Sequence, residues 1–317
     1  FSDDDVAPGQ MFCDEFIVGD YNDISKIKEF TNKVDLVTFE FENIPYDVLK
    51  KINEFKKVLP KPEVNKIIQN RLTEKDFINR LNIKTTKYKL ISNDKDLKKN
   101  IDLLPGILKT CTLGYDGKGQ YKINNLKEIQ NIKINFNQKY ILEKLINLKK
   151  EISVIIVRFG KKKYEIYEPI ENEHKDQILK FSKVPADIAE KNFIEATESA
   201  KKIAEELDYI GTLCVEFFID NNNELFVNEV APRVHNSGHL TINSHNISQF
   251  ENHIRAVCNL EKKKTKRLYK AEMINLIGDD ISSYKHKKLE NNEFFFDYKK
   301  KDIKPKRKMG HFTKIYK

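Results

Sequence analysis

Residues Leu213–His239 read LCVEFFIDNNNELFVNEVAPRVHNSGH. Two apolar runs flank the turn-forming Asn221-Asn222-Asn223, which predicts an antiparallel hairpin of Gly211–Ile219 and Glu224–Val230. Each run carries one carboxylate among apolar neighbours, Glu216 and Glu229. With the turn centred on Asn222-Asn223 the two fall opposite each other on one face. Like charges directly opposite destabilise a sheet unless something positive lies between them. Magnesium suits that position, since it takes one or two carboxylates together with substrate phosphates. Two solvated glutamates are the plain alternative. Asn228 joins Glu229 on that face only through a bulge or a shifted register. The loop Ala231–His239 then concentrates polar groups, and Arg233 has the fork to hold a phosphate or carboxylate bidentately. His235 and His239 are four apart, but Asn236, Ser237 and Gly238 argue against a helix between them. No HExxH is present, so a helix-borne zinc site is a poor reading.

Upstream, three of the chain's 11 glycines lie in Gly114-Tyr115-Asp116-Gly117-Lys118-Gly119-Gln120. Such a loop brings backbone N–H groups close to a polyphosphate. It is neither a Walker A loop nor the dinucleotide fingerprint, and a hairpin turn at Asp116-Gly117 is its plain reading. Lys109 ends an apolar stretch just before it and can bring a point charge to a phosphate. Apolar strands are expected at Tyr140–Glu143 and Glu151–Phe159, paired with each other. Helices are expected over Val64–Leu81, carrying Arg71 and Lys75, over Phe193–Leu207, with Ala196, Ala200, Ile203 and Ala204 on one stripe, and over Ser248–Cys258. The first 60 or so residues alternate strand (Phe16–Val18, Val34–Glu42) and helix (Ile24–Asn32), a βαβ rhythm of a parallel sheet. The unit looks incomplete, as if a first strand and helix preceded Phe1. Glu40 and Glu42 end a strand where such sheets place ligands. Pro60-Lys61-Pro62 marks a boundary, and Glu261–Arg267 reads as a linker before short strands and the basic run Lys299–Lys308.

Composition narrows the function. The chain has 317 residues, with 57 Lys plus Arg against 48 Asp plus Glu, giving +9. The balance suggests an anionic partner. The basic residues are spread along the chain and interleaved with acids, unlike the basic face with exposed aromatics of a nucleic-acid binder. The longest apolar runs, such as Ile152–Val157, fall far short of the ~20 residues of a membrane span. The acidic start has no signal core. Cys13, Cys111, Cys214 and Cys258 form no CxxC pair and read as buried reduced thiols of a cytoplasmic protein.

Four stretches, Thr38–Pro45 (TFEFENIP), Gly114–Gln120 (GYDGKGQ), Asn228–His239 (NEVAPRVHNSGH) and Lys308–His311 (KMGH), occur in the order of an ATP-grasp enzyme. Together they resemble the N5-carboxyaminoimidazole ribonucleotide synthases of purine biosynthesis. The resemblance spans essentially the whole chain, and the Asn228–His239 stretch is its most specific part. It implies an α/β ATP-grasp fold with a truncated Rossmann-like pre-ATP-grasp domain (1–62), an ATP-grasp domain (63–258) and a small β-rich C-terminal domain (259–317). It implies a ligase that phosphorylates bicarbonate with ATP to carboxyphosphate and carboxylates 5-aminoimidazole ribonucleotide (AIR). The alternative is another ATP-grasp ligase, such as formate-dependent glycinamide ribonucleotide transformylase. Mg2+, with Mn2+ as the other option, and a homodimer without nucleic-acid or membrane partner are implied too.

The resemblance also assigns residues. Arg71 and Lys109 resemble ATP phosphate ligands, and Gly114, Tyr115, Asp116, Gly117, Lys118, Gly119 and Gln120 a mobile loop over the nucleotide. Glu143, Lys144, Leu145 and Ile146 match the adenine-holding segment, Glu151 the ribose carboxylate and His174 a further nucleotide contact. Glu216, Glu229 and Asn228 match a magnesium site, with Asn228 and Glu229 also near the nucleotide. Glu40, Tyr115, Asp116, Lys118, Arg233, His235, Asn236 and Ser237 resemble AIR-site residues, and Lys301, Arg307 and Lys308 ligands for its phosphate. Arg233, Lys109 and Asp116 are the expected catalytic groups. The family's usual second glycine before Gly114 is Leu113 in this chain.

Overall fold

The computed structural model describes residues 1–112, 119–129 and 134–317. In the N-terminal unit, helix α1 (Ile24–Thr31) starts at Asp23, whose side chain accepts from the N–H groups of Ser25 and Lys26. Helix α2 (Tyr46–Phe55) follows. Their buried faces, Ile27 with Val48, Leu49 and Ile52, close on Val37, Phe39 and Val58. The two expected strands are not ladders. Phe16–Val18 keeps a single parallel bridge, Ser2↔Val18, and Val34–Glu42 another, Val37↔Val58. Apolar alternation was enough to bury Val37 and Phe39. Only Val37 exchanges backbone hydrogen bonds, with Lys57 O and Leu59 N, before the chain turns at Phe41–Ile44.

The predicted helix Val64–Leu81 is two helices, α3 (Pro62–Ile68) and α4 (Arg71–Arg80). Asn70 breaks it. Its backbone is extended and its side chain accepts from Leu72 N and Thr73 N, offering the chain a new N-cap in place of a continued helix. The Gln69 amide donates to the carbonyls of Glu42 (2.7 Å) and Ile44 (2.6 Å), and Arg71 N to Cys111 O (2.8 Å). Asn70→Ala is expected to cost about 1 kcal/mol, seen as a lower urea midpoint, with Asn70→Asp restoring it.

Two antiparallel sheets build the rest. The smaller contains β1 (Tyr88–Ile91), β2 (Gly106–Thr110), β3 (Gln120–Ile123) and β4 (Tyr140–Lys144) in the order β1-β4-β2-β3, with helices α5 (Asp94–Lys99) and α6 (Leu126–Ile129) in its connections. The larger sheet takes β5 (Leu148–Gly160), β6 (Lys163–Ile166), β7 (Ile170–Lys175), β8 (Ile178–Val184), β9 (Gly211–Asp220) and β10 (Leu225–Ala231). Helices α7 (Glu190–Glu206), α8 (Thr241–Ser244) and α9 (Gln249–Val257) are interspersed. After them β11 (Lys270–Ile277), α10 (Asp280–Lys285), β12 (Glu293–Asp297) and β13 (Lys308–Tyr316) complete it, in the order β10-β9-β5-β7-β8-β11-β13-β12, with β6 on β5.

One expected pairing changes. Tyr140–Glu143 and Glu151–Phe159 do not pair: the first lies in β4 and the second in β5, in different sheets. The link Leu145–Asn147 carries the chain across, tied by Leu145 N to Pro105 O (2.9 Å). The C-terminal strands extend the large sheet through the β11–β8 pairing.

The core follows the period of two. Ile152, Val154 and Ile156 of β5 and Leu213, Val215 and Phe217 of β9 pack on the Ala196–Ala200–Ile203–Ala204 stripe of α7. Their neighbours Ile155, Val157 and Cys214 meet Ala256 of α9 on the opposite face. A sheet covered on both faces reads as continuous apolar runs, as β5 and β9 do. Each large aliphatic side chain buried here contributes about 1.5–3 kcal/mol. All four cysteines are free, but only Cys111 and Cys214 are buried. Cys13 and Cys258 are exposed, the latter because it caps the end of α9 after the buried Ala256 and Val257.

Candidate active site

The β9–β10 hairpin turns about Asn222 rather than Asn222-Asn223: Leu225 pairs with Ile219 and Val227 with Phe217, and the extra residue Asn228, a bulge, then brings Glu229 opposite Glu216 as expected. The bulge lets Asn228 and Glu229 both face a cavity of about 510 Å³ between the two sheets. Glu216, Arg71, Lys109, Arg233 and His235 line it as well.

Each carboxylate has a cationic or N–H partner. Arg71 Nη1 donates to Glu229 Oε2 at 3.1 Å, and His235 Nε2 meets Glu216 Oε1 at 3.0 Å. The histidine is oriented from behind. Its Nδ1 lies 2.8 Å from Ser237 Oγ, which is 2.7 Å from Ser153 Oγ. Asn172 donates to Ser153, and Ser182 to Asn172. Ser237 N also points at Nδ1 (3.4 Å), so Nδ1 is the accepting nitrogen and Nε2–H the donor to Glu216. Burial alone would raise the Glu216 carboxyl. His235 and His174 outweigh it and hold the group at about 2.

Asn228 Oδ1 is buried without a hydrogen-bond partner. An orphaned oxygen beside two carboxyl groups is the donor set of a hard divalent cation that also takes ligands from phosphate. Glu216, Asn228 and Glu229 therefore fit Mg2+ or Mn2+. Among the described residues no group of three or more His, Cys, Asp or Glu is placed to hold a metal ion by itself.

Elsewhere in the cavity wall Glu143 is buried between two lysines. Lys109 Nζ lies 2.9 Å from its Oε2 and Lys75 Nζ 3.4 Å from its Oε1. Burial would raise this carboxyl too, but Lys109 and Lys75 pull it down to about 2. Lys75 also donates to Thr85 Oγ1 (2.9 Å) and Thr86 Oγ1 (3.2 Å). Glu74, beside it, is buried and accepts from Val230 N at 2.6 Å. Burial, with Glu229 close by, pushes its carboxyl up to about 8. Sequence reasoning did not place Glu74 or Lys75 in the site. The legible signal was their spacing: Arg71, Glu74, Lys75 and the buried Ile78 share one face of α4.

Lys144, Leu145 and Ile146 line the cavity with Ile107, Leu179 and Phe218, a slot with apolar walls. Glu151 and His174 both line it and pair with each other. Burial would lower His174, but the Glu151 carboxylate raises it above its ordinary value. Arg233 holds Glu42 bidentately at 3.0 and 2.9 Å, so the loop after the hairpin is clasped to the N-terminal unit. Glu40 is exposed and does not line the cavity. Asn236 lines it and exchanges two amide hydrogen bonds with Asn275 (3.0 and 2.6 Å). Ser237 has no exposed surface, and its role is to orient His235. Lys308 lines the cavity, Lys301 is exposed, and Arg307 donates to Asp302 O. Gly114, Tyr115, Asp116, Gly117 and Lys118 lie outside the described residues. Gly119 sits at φ +70°, where a Cβ would meet Thr110 Oγ1 at 2.7 Å, and Gln120 lines the cavity.

Known proteins resemble this chain over nearly all of its length. The ATP-grasp domain profile matches residues 76–250. A ribonucleotide synthetase preATP-grasp domain matches 1–69, and a phosphoribosylaminoimidazole carboxylase C-terminal domain 271–317. The chain is an ATP-grasp protein. An N5-carboxyaminoimidazole ribonucleotide synthase of Brucella melitensis is 40% identical over 314 residues, 98% of this chain and 87% of the relative. One from Staphylococcus aureus is 39% identical over 312 residues, 97% of this chain and 83% of the relative. The ADP complex of an N5-carboxyaminoimidazole ribonucleotide synthetase superposes with a TM-score of 0.94 at 35% identity, covering 99% of this chain and 85% of that one. The Aspergillus clavatus synthase in complex with ADP and 5-aminoimidazole ribonucleotide gives 0.89 at 25% identity, covering 98% and 85%. Within the ATP-grasp class, the chain belongs to the N5-carboxyaminoimidazole ribonucleotide synthase family.

Proposed function

We propose that this chain carboxylates AIR at the expense of ATP. A bicarbonate oxygen attacks the γ-phosphorus and ADP leaves, giving carboxyphosphate. The 5-amino nitrogen of AIR then takes up the carboxyl carbon as phosphate departs, giving N5-carboxyaminoimidazole ribonucleotide. The observation that carries this reading is the pairing, across one cavity, of Lys109 with the bulged Glu216–Asn228–Glu229 corner. That arrangement places positive charge on one side of a transferred phosphoryl group and a cation site on the other.

Glu216, Asn228 and Glu229 would hold the metal, Mg2+ by preference, which neutralises charge on the phosphates when bound. Lys109 and Arg71 bind phosphate oxygens. Leu145 and Ile146 take the base, and Glu151 the ribose. Arg233, lying between Glu42 and the cavity, orients bicarbonate. His235, Asn236 and Lys308 face the AIR side, where Lys301 and Arg307 supply further charge for its phosphate. Gly114–Gln120, with Tyr115, Asp116 and Lys118, covers the nucleotide and excludes water from a hydrolysable intermediate. The family resemblance supports a homodimer, which sedimentation reads directly.

With purified protein, ADP release is expected to require bicarbonate and to rise with AIR. It should not rise with glycinamide ribonucleotide and formate. ADP release indifferent to AIR overturns the reading.

A further inference from the structure

The metal corner rests on an edge strand. β10 has β9 on one side and, among the described residues, only the isolated bridge Thr85↔Val227 on the other, and a bulge interrupts it at Asn228. Edge strands with bulges leave N–H and C=O groups unpaired and bend easily. Yet the outer edge of β10 is gripped residue by residue. Val227 N donates to Lys84 O (2.8 Å), and Thr85 Oγ1 to Val227 O (2.8 Å). Lys75 Nζ reaches Asn228 O (3.4 Å), Arg71 Nη1 reaches the Glu229 carboxylate (3.1 Å), and Glu74 Oε1 accepts from Val230 N (2.6 Å). The last three come from one face of α4, at spacings i, i+3 and i+4.

We propose that Glu74 is a positioning residue. By fixing the Val230 N–H, it holds the Asn228–Glu229 bulge in the geometry that aims both side chains at one cation. The inference rests on the reading above that Asn228 and Glu229 hold the nucleotide's metal. Three observations point to it. The contact is the shortest of the set and is buried. It falls on the residue next to Glu229. The Glu74 side chain is buried on the face of α4 that carries Arg71 and Lys75, a costly place for a polar group without a partner. A ligand pair on a bent edge strand needs such a support, because a displacement of an ångström spoils a coordination shell.

Two substitutions separate the acceptor's position from the chemistry of the carboxyl. Glu74→Asp keeps the carboxyl but draws the acceptor back by one methylene. Glu74→Gln keeps a carbonyl acceptor in place and replaces the carboxyl by an amide. Electron paramagnetic resonance would follow Mn2+ binding to the ADP-loaded proteins, alongside ADP binding without metal and thermal unfolding. Glu74→Asp is expected to weaken Mn2+ about tenfold, the scale of an outer-shell support, with metal-free ADP binding unchanged. Glu74→Gln should stay within about threefold of the parent, with the Mg2+ dependence of KM following the same order. If Glu74→Asp binds Mn2+ as the parent does, or Glu74→Gln is the weaker of the two, the positioning role is overturned. A parent protein that binds no Mn2+ with ADP overturns the metal reading itself, and this role with it.

Discussion

Glu143→Gln is expected to destabilise the protein by about 3–5 kcal/mol, the cost of removing one partner from a buried ion cluster. The side chains of Lys75, Lys109 and Glu143 are 2%, 8% and 4% exposed, so water screens none of them. With Glu143 neutralised, two buried ammonium groups face each other with no anion between them. Lys75 retains Thr85, Thr86 and the Asn228 carbonyl as neutral acceptors, but Lys109 loses the carboxylate that fixes its head. Phosphate affinity should fall with stability. Urea unfolding of parent and variant at pH 7 measures the first effect and ATP binding the second. A stability change below about 1 kcal/mol would mean that the lysines find other compensation and that the cluster is not a structural unit.

The same cluster sets an acid limit. Glu143 is depressed from 4.5 to about 2 on folding. A depressed carboxyl stabilises the native state above its unfolded value and ceases to do so as pH falls toward its folded one. The stability difference between parent and Glu143→Gln is therefore expected to be full at pH 7, to shrink below about pH 4.5 and to be mostly gone near pH 2. Glu74 acts in the opposite direction. Its raised value stabilises the fold below 4.5, and the benefit is lost as pH rises through about 8. Comparing parent with variant at each pH cancels that contribution. A difference that does not change between pH 7 and pH 3 would separate the stabilisation from the ionisation of Glu143.

The hairpin was legible because its rules are local. The two apolar runs and the asparagine turn between them specify the hairpin, while the register at the turn is one residue short of that expected and the bulge at Asn228 restores Glu229 to its place opposite Glu216. The α7 stripe was legible for the same reason. What failed was non-local. The pattern at Val34–Glu42 specifies a buried extended segment, but whether that segment forms a ladder depends on neighbours distant in sequence. The consecutive strands β4 and β5 looked like a pair because sequential strands usually neighbour each other, and only the crossing at Leu145–Asn147 separates them. In the helix over Val64–Leu81, an asparagine cap outweighed continuous helical spacing. In the site, the motif residues were readable as types, while their partners were not. Glu42 on Arg233, Glu74 on Val230 and Lys75 on Glu143 join segments 191, 156 and 68 residues apart. Ser237 sits inside the most family-like stretch, yet works through His235 because the chain buries it completely.

Glu216→Gln is expected to lower kcat by about 10³-fold or more, some 4 kcal/mol of transition-state stabilisation, while leaving the fold intact. The asymmetry follows from its contacts. The glutamine carbonyl can still accept from His235 Nε2, so the chain from Ser182 through Asn172, Ser153, Ser237 and His235 stays satisfied. The lost charge also relieves repulsion from Glu229 opposite. Against that, His235 and His174 favour the ionised carboxyl, so stability should fall, by less than the loss expected for Glu143→Gln. The cation site fares differently. One of its two carboxylates disappears, leaving Glu229, which Arg71 already shares, and the amide of Asn228. Affinity for the metal–nucleotide falls, and so does charge neutralisation at the phosphoryl group, so KM for ATP rises as kcat drops. Raising Mg2+ should recover part of the KM effect and little of kcat, because occupancy can be restored by mass action and the missing charge cannot. Steady-state kinetics across a Mg2+ series, with thermal unfolding as the control, distinguishes the cases. Turnover within about threefold of the parent would remove Glu216 from the metal site and leave Asn228 and Glu229 to hold the cation.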